Sequence, residues 1–465
     1  MREMRECQTE AARKRAGTKK SWTGCRTCRA RHIKCDEAPD FCKNCTTSTT
    51  EAGPHQLIPP EIAGGLRWAV TTDERHCYSF FETQTIYTLS GFFDSRLWQE
   101  ILPQRSFLDP ADLERYGLPL PGQDLQNVWH RFALDQCGRS FVLLSRRHAS
   151  QDPRFREVML LCCLLFVSTQ LLRGQYDDAF RHLRSGLRIL KEAKGNPYEP
   201  PVEQCIVAAF NILEIQSLQY GGWEVALENN GFEYQLCALD TPGVFSSFQD
   251  ARQSLDSILG AAFRFLTRCD GLSEEEILLD HGELHQGQLE LLAQYNEFGN
   301  SFELFCASRN FNAKEQRGAD MMRLVQRSLA LVVKTCLLRD ETALNYYTSE
   351  HEKHILMAEE IMRRIPDRPS FTIHIGIIPP LYTAAMWCRD HSVRRRAIAV
   401  LQYWPHREGS FESNWAAWIA LEQIKAERCL GLKKVGETAR FINYLLQTRG
   451  GGQALKSVAF LWKML

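Results

Sequence analysis

The 465-residue chain lacks the short signatures that announce an enzyme. It has no His-Glu-x-x-His, no Gly-x-Gly-x-x-Gly following a strand and no phosphate-binding loop. It has no net charge, with 56 basic residues against 56 acidic. Long apolar runs are missing too. The longest, Val158 to Leu172, covers 15 residues and includes Ser168, Thr169 and Gln170, where a membrane span needs roughly 20. It reads as a buried core helix of a soluble protein with no membrane partner. No apolar segment of the signal-peptide type precedes the first cysteines, which argues against a secreted disulfide framework. Period-two alternation is scarce, and residues 46–73 carry no sustained apolar heptads, so a zipper-type dimeriser is not expected there. Acidic segments interleaved with apolar residues are not evident, which leaves activator and repressor equal.

Apolar residues make up 44% and aromatics 10%, enough to bury a sizeable core rather than remain disordered. The balanced charge conceals an asymmetry. Residues 1–50 hold 12 Lys/Arg and 6 Asp/Glu, leaving 44 and 50 for the other 415. A basic head on a mildly acidic body suits a polyanion partner for the head alone. Ala12-Arg13-Lys14-Arg15-Ala16-Gly17-Thr18-Lys19-Lys20 is a split basic run. It reads as a nuclear import signal or a DNA-backbone contact, with a solvated tail as the plainer alternative.

Five of the 17 cysteines fall in one short segment, Cys25-x2-Cys28-x6-Cys35-x6-Cys42-x2-Cys45. The others are scattered, several in apolar runs such as Leu161-Cys162-Cys163-Leu164, and read as reduced core residues. A C-x2-C pair turns two thiolates onto one Zn²⁺ without backbone strain, at about 2.3 Å from sulfur to metal. A module of some 30 residues buries too little apolar surface to fold alone, and Trp22, Ile33 and Phe41 are nearly all it has. Metal binding, worth apparently about 10–16 kcal/mol for structural zinc, then becomes its folding energy. Between Cys28 and Cys35 lies Arg29-Ala30-Arg31-His32-Ile33-Lys34, room for a turn or two of cationic helix that reaches phosphates and major-groove edges.

The run Cys25-Arg26-Thr27-Cys28-Arg29-Ala30-Arg31-His32-Ile33-Lys34-Cys35-Asp36-Glu37 resembles the fungal Zn(2)-Cys(6) binuclear cluster family of transcription factors. The resemblance implies two zinc ions held by six cysteines, the first and fourth bridging. Cys25 and Cys42 would then bridge, Cys28 and Cys35 would complete one ion, and Cys45 would ligate the other. It implies base contacts from Arg31 and His32, phosphate contacts from Arg29 and Lys34, CGG-type half-sites in double-stranded DNA, and a nuclear location. Transcription machinery or coregulators would be further partners; the oligomeric state stays open. The chain departs from the pattern in one place. No cysteine follows Cys45 within residues 46–55. His55 could replace the sixth ligand, or water could complete a weak second site, or residues near position 50 have been lost from the sequence. We favour the last. The resemblance continues in Cys77-Tyr78-Ser79-Phe80-Phe81, in Leu89-Ser90-Gly91-Phe92-Phe93-Asp94 with Trp98, and in Tyr176-Asp177-Asp178-Ala179-Phe180-Arg181-His182-Leu183-Arg184-Ser185-Gly186-Leu187. These resemble the helical middle region of one branch of such regulators.

The expected fold is mainly α, a small zinc-stabilised N-terminal module followed by a large all-α domain. Residues 1–20 form a basic polar tail, 21–55 the incomplete DNA-binding module, 56–73 a linker and 74–465 the all-α regulatory domain. Ala179, Leu183, Leu187 and Leu190 make one apolar stripe on a helix over Asp177–Lys191. Met321–Leu337, Met357–Ile365, Ser413–Leu430 and Glu437–Leu446 read similarly. Gly174-x-Tyr176-x-x-Ala179 resembles one tetratricopeptide-type helix, but no second copy follows at a 34-residue period. A single helical hairpin with a small residue at the crossing is the simpler reading.

Two readings compete with a DNA-binding regulator. One is a helical coregulator or scaffold whose degenerate zinc cluster no longer binds DNA. The other is an enzyme in the body. His351 and His354 flank Glu352 and could hold a metal, but an exposed charged face with Glu350 and Lys353 is the reading taken. Asp280-His281 near Glu283 is equally unremarkable. The chain is expected not to be an enzyme.

Overall fold

The structure is a computed structural model. It describes residues 35–36, 72–91, 93, 95–103, 128–147, 155–195, 201–219, 245–338, 341–365 and 368–430. The chain divides into two compact units, Met1–Phe80 and Phe81–Leu465. In the first, helix α1 (Thr72–Phe80) opens with Asp73 and Glu74 in its first turn, where carboxylates complement the helix dipole. Burial, with Asp73 and Glu74 nearby, pushes the Cys77 thiol up to about 12, so it stays protonated.

The second unit is mainly helical. It comprises α2 (Ile86–Ser90), α3 (Val128–Arg146), α4 (Phe155–Leu172), α5 (Tyr176–Gly195), α6 (Gln204–Gln219), α7 (Phe248–Gly271), α8 (Glu274–Leu279), α9 (His281–Ala307), α10 (Ala313–Thr335), α11 (Thr348–Arg363), α12 (Ile378–Trp387), α13 (His391–Tyr403) and α14 (Ser413–Leu430), with π turns at Phe81–Thr85 and Leu97–Ile101. The expected hairpin is present. α4 and α5 pack along each other across a three-residue turn, and Ala179, Leu183 and Leu187 are fully buried. α4 is the one helix among the described residues long and apolar enough to cross a membrane, and 67% of it is buried inside the structure. Leu160, Leu161, Leu164 and Val167 are wholly enclosed, as the core-helix reading expects.

The main core lies among α7 and α9 to α14. Side-chain caps define where several of these helices begin. Ser247 and Asp250 form a reciprocal box at the start of α7, Ser273 and Glu276 at α8, and Asn312 and Glu315 at α10, each satisfying backbone N–H groups that the helix leaves unpaired. Buried Arg394 on α13 ties three helices. It donates from Nη1 to Glu427 Oε2 at 2.5 Å on α14, and from Nε to the Ala385 carbonyl at 2.7 Å on α12. Cys162, Cys269 and Cys388 are buried thiols, as expected of reduced core cysteines.

The expectation of an all-α body needs one correction. β1 (Phe371–Thr372), β2 (Arg407–Glu408) and β3 (Phe411–Glu412) form a three-stranded sheet in the order β1-β2-β3. β1 runs parallel to β2, with Phe371 opposite Arg407, and β2 runs antiparallel to β3. Two-residue strands are too short to leave an alternating pattern. The parallel pair also joins residues far apart in the chain, which no local signal encodes. Gly409, at φ +57°, opens the two-residue turn between β2 and β3, where a positive φ suits glycine.

Candidate functional site

Eight of the nine residues expected to bind metal or DNA lie outside the described residues: Cys25, Cys28, Arg29, Arg31, His32, Lys34, Cys42 and Cys45. The ninth, Cys35, is buried, and Asp36 beside it is exposed. The helix expected over Glu437–Leu446 also lies outside the described part. Among the described residues no three His, Cys, Asp or Glu side chains converge closely enough to hold a metal ion.

His351 and His354 correct a second expectation. Both are buried on α11, 4% and 5% exposed, not set on a charged outer face. Their rings meet edge to face, 6.4 Å between centroids. Burial lowers both to about 4, so both are neutral near pH 7. The reason is register. His351, His354, Ile355, Ala358, Ile361 and Met362 are the buried residues of α11, and the imidazoles extend its apolar stripe by a turn.

The described polar groups that converge on a cavity lie elsewhere. The Ser247 cap sets the start of α7 and places Arg252 in its first turns, with Asp256 one turn further. Opposite them, His374 stands on the short segment after β1. That segment is held at both ends. Gln216 Nε2 donates to the Ile373 carbonyl, Thr372 Oγ1 donates to the His374 carbonyl at 3.0 Å, and Gly409 N donates to the Thr372 carbonyl at 2.7 Å. On its far side the wholly buried Glu408 carboxylate accepts from the N–H groups of Gly376, Ile377 and Ile378 at 2.8, 2.7 and 3.1 Å. His406 Nε2 also lies 3.0 Å from Glu408 Oε1. One side chain of the small sheet thus anchors both the His374 segment and the start of α12.

The Arg252 guanidinium lies over the Phe93 ring, 4.2 Å from its centroid, and its Nη2 is 2.6 Å from His374 Nδ1. A guanidinium only donates, so His374 accepts there as a neutral ring. Burial and then the Arg252 charge hold His374 well below its usual range. The nearest approach to Asp256 is 3.9 Å, between Nε and Oδ2, an ion pair beyond hydrogen-bond length. Burial raises the Asp256 carboxyl to about 6, against the pull of Arg252. Apolar side chains including Ile215, Leu255, Leu259, Met322 and Val325 complete a small cavity of about 30 Å³. A second, more apolar cavity of about 60 Å³ shares Leu259, Val325 and Ile375 with it as lining. Tyr382 lines the second cavity; its buried hydroxyl has no hydrogen-bond partner in the structure.

The sequence reading missed Arg252, Asp256, His374 and Tyr382. An Arg and an Asp four apart on a helix look like an ordinary surface pair. A histidine inside Thr372-Ile373-His374-Ile375-Gly376 was the one usable signal, since its flanking residues are apolar.

No protein-family model matches the chain, and no solved structure matches it. In sequence it is similar to the aspercryptin biosynthesis cluster-specific transcription regulator atnN of Emericella nidulans, 22% identical across 88% of this chain and 87% of that protein. The cysteine-rich basic head and the large helical body thus belong to a distant relative of a fungal transcription regulator.

Proposed function

We propose that the chain is a zinc-dependent, sequence-specific DNA-binding regulator of RNA polymerase II transcription, acting in the nucleus at CGG-type half-sites. The observation that carries this reading is the five-cysteine array Cys25-x2-Cys28-x6-Cys35-x6-Cys42-x2-Cys45 inside a basic segment, in a chain related along most of its length to a transcription regulator. Its role is regulatory rather than catalytic. The donor set suits zinc: thiolate ligands in paired spacing, of which Cys35 is already buried. Cys25, Cys28, Cys35 and Cys42 would hold one ion; a second would have Cys45 and the bridging cysteines but one thiolate too few. Bound metal would supply the folding energy of the module. Arg31 and His32 read base edges and Arg29 and Lys34 neutralise phosphate. Each phosphate neutralised steepens the salt dependence of log affinity by about −0.9. Double-stranded DNA is the primary partner, with transcription machinery or coregulators bound by the body.

A second reading is favoured by one observation. The sixth cysteine is missing from residues 46–55, as a coregulator that has given up DNA binding would permit. Metal analysis of the reduced full-length protein separates the two. Bound zinc, lost together with promoter binding in Cys28→Ala, is the expected result. Absence of zinc in the wild type, or unchanged promoter affinity in Cys28→Ala, overturns the DNA-binding reading and leaves the scaffold.

A further inference from the structure

Two histidines on the outside of the helical body are placed as metal donors. His281 and His285 stand in the first two turns of α9, both exposed. Four residues apart, they share one helix face, the spacing by which a helix turns two imidazoles onto one zinc ion. Their rings already lie side by side, 5.7 Å between centroids and 12° between planes. Two imidazoles on one tetrahedral zinc, with nitrogen about 2.0–2.1 Å from the metal, have centroids about 5 Å apart. A modest rotation of two exposed side chains closes that difference. The other histidines with a role in the fold are differently placed. His351 and His354 are buried in the apolar face of α11, while His374 and His406 lie against Arg252 and Glu408. Among the described residues, neither His281 nor His285 spends a ring nitrogen on a hydrogen bond or an ion pair.

The charge around the pair favours a cation. Residues 274–280 carry Glu274, Glu275, Glu276 and Asp280 and no Lys or Arg. Arg268 reaches this end of α9, but its charge is met by Glu283 at 2.8 Å. The positive end of the α9 dipole opposes a cation by roughly half a unit charge, less than the carboxylates supply. Apolar surface flanks the donors: Leu278 and Leu279 are 75% and 83% exposed just before His281, and Leu289 is 47% exposed one turn after His285. A four-coordinate zinc needs four donors, and no third His, Cys, Asp or Glu among the described residues converges on these two.

We propose that His281 and His285 from two copies of this chain meet on one zinc ion, a four-imidazole site on a twofold axis that joins the bodies into a dimer. The donor count selects the second copy as the occupant. An isologous contact brings the same patch from both partners, so a surface that offers two imidazoles is completed by its own duplicate. Leu278, Leu279 and Leu289 would pack around the metal. The acidic residues make the pairing conditional, because two such faces repel each other until a dication lies between them. This inference goes beyond DNA recognition and stands without it, since every residue it uses lies in the second unit.

The test is light scattering of the full-length protein during titration with zinc chloride, with bound zinc measured alongside. The mass should double as about half a zinc per chain is taken up beyond any held by the cysteines. His281→Ala and His285→Ala should each remain monomeric at the same zinc concentration. His391→Ala, which removes an exposed histidine from α13, should dimerise as the wild type does. Thermal melting identifies any variant that fails to fold, and the wild-type titration needs no variant. A mass that zinc does not change, a dimer that forms equally without added zinc, or zinc-driven doubling that survives in folded His281→Ala and His285→Ala proteins overturns the proposal. So does uptake of one zinc per chain at the pair with the mass unchanged. Cys28→Ala separates this inference from the DNA-binding reading: it should lose zinc from the cysteine array and still double in mass.

Discussion

At the scale of single residues, the buried histidines give the fold a defined response to acid. His351 and His354 both sit at about 4 in the folded chain because burial penalises the charged ring. Unfolded, each returns to about 6.5. Between those values the unfolded chain binds more protons, so stability falls as pH falls. The contribution of the neutral rings is complete above about pH 6.5 and is lost as pH drops toward 4. His374 shifts in the same direction. Urea denaturation at pH 7.5 and 4.5 should show a loss on the order of 2 kcal/mol per ring in the wild type. The double variant H351L/H354L should show a flatter profile. An equal acid slope in the two proteins would mean that these rings are not buried uncharged.

At the scale of elements, helix existence followed from side-chain period, while helix ends depended on caps and on which polar residues are buried. The stripe over Asp177–Lys191 lies inside α5, and Ser413–Leu430 matches α14. The helix read over Met357–Ile365 begins at Thr348 in the structure, because two histidines counted as polar are part of the apolar face. The one read from Met321 begins at Ala313, where Asn312 caps a polar first turn. Close packing of α5 on α6 supplies a test. A Cβ placed on Gly186 would stand 2.1 Å from Phe210 Cε1, and Phe210 is fully buried. Replacing glycine by alanine within a helix gains about 1 kcal/mol of intrinsic propensity. Forcing a core ring aside costs roughly 1–3 kcal/mol. Gly186→Ala is therefore expected to lower the melting temperature; a raised one would show that the ring slides away without penalty.

At the scale of the whole molecule, the proposed reading gives the cysteine segment and the helical body different sources of stability. The second unit has an extensive apolar core running through α7 and α9 to α14. The cysteine segment has little to bury and relies on thiolate–metal bonds in the proposed reading. Chelation of zinc from the full-length protein should abolish DNA binding and leave the far-UV helical signal and its main thermal transition in place. A helical signal that collapses on chelation would mean that the body depends on metal as well.

The cysteine array, its basic surroundings and the helical character of the body were determined by sequence alone. Ligand spacing and side-chain period are local properties, readable within a few turns of chain. The two neighbouring cavities were decided only by tertiary structure. Phe93, Arg252, His374 and Tyr382 come from four separate segments, and their chemistry arises from burial and mutual distance. Neither quantity has any trace in the order of residues until α7, α12 and the small sheet have packed together.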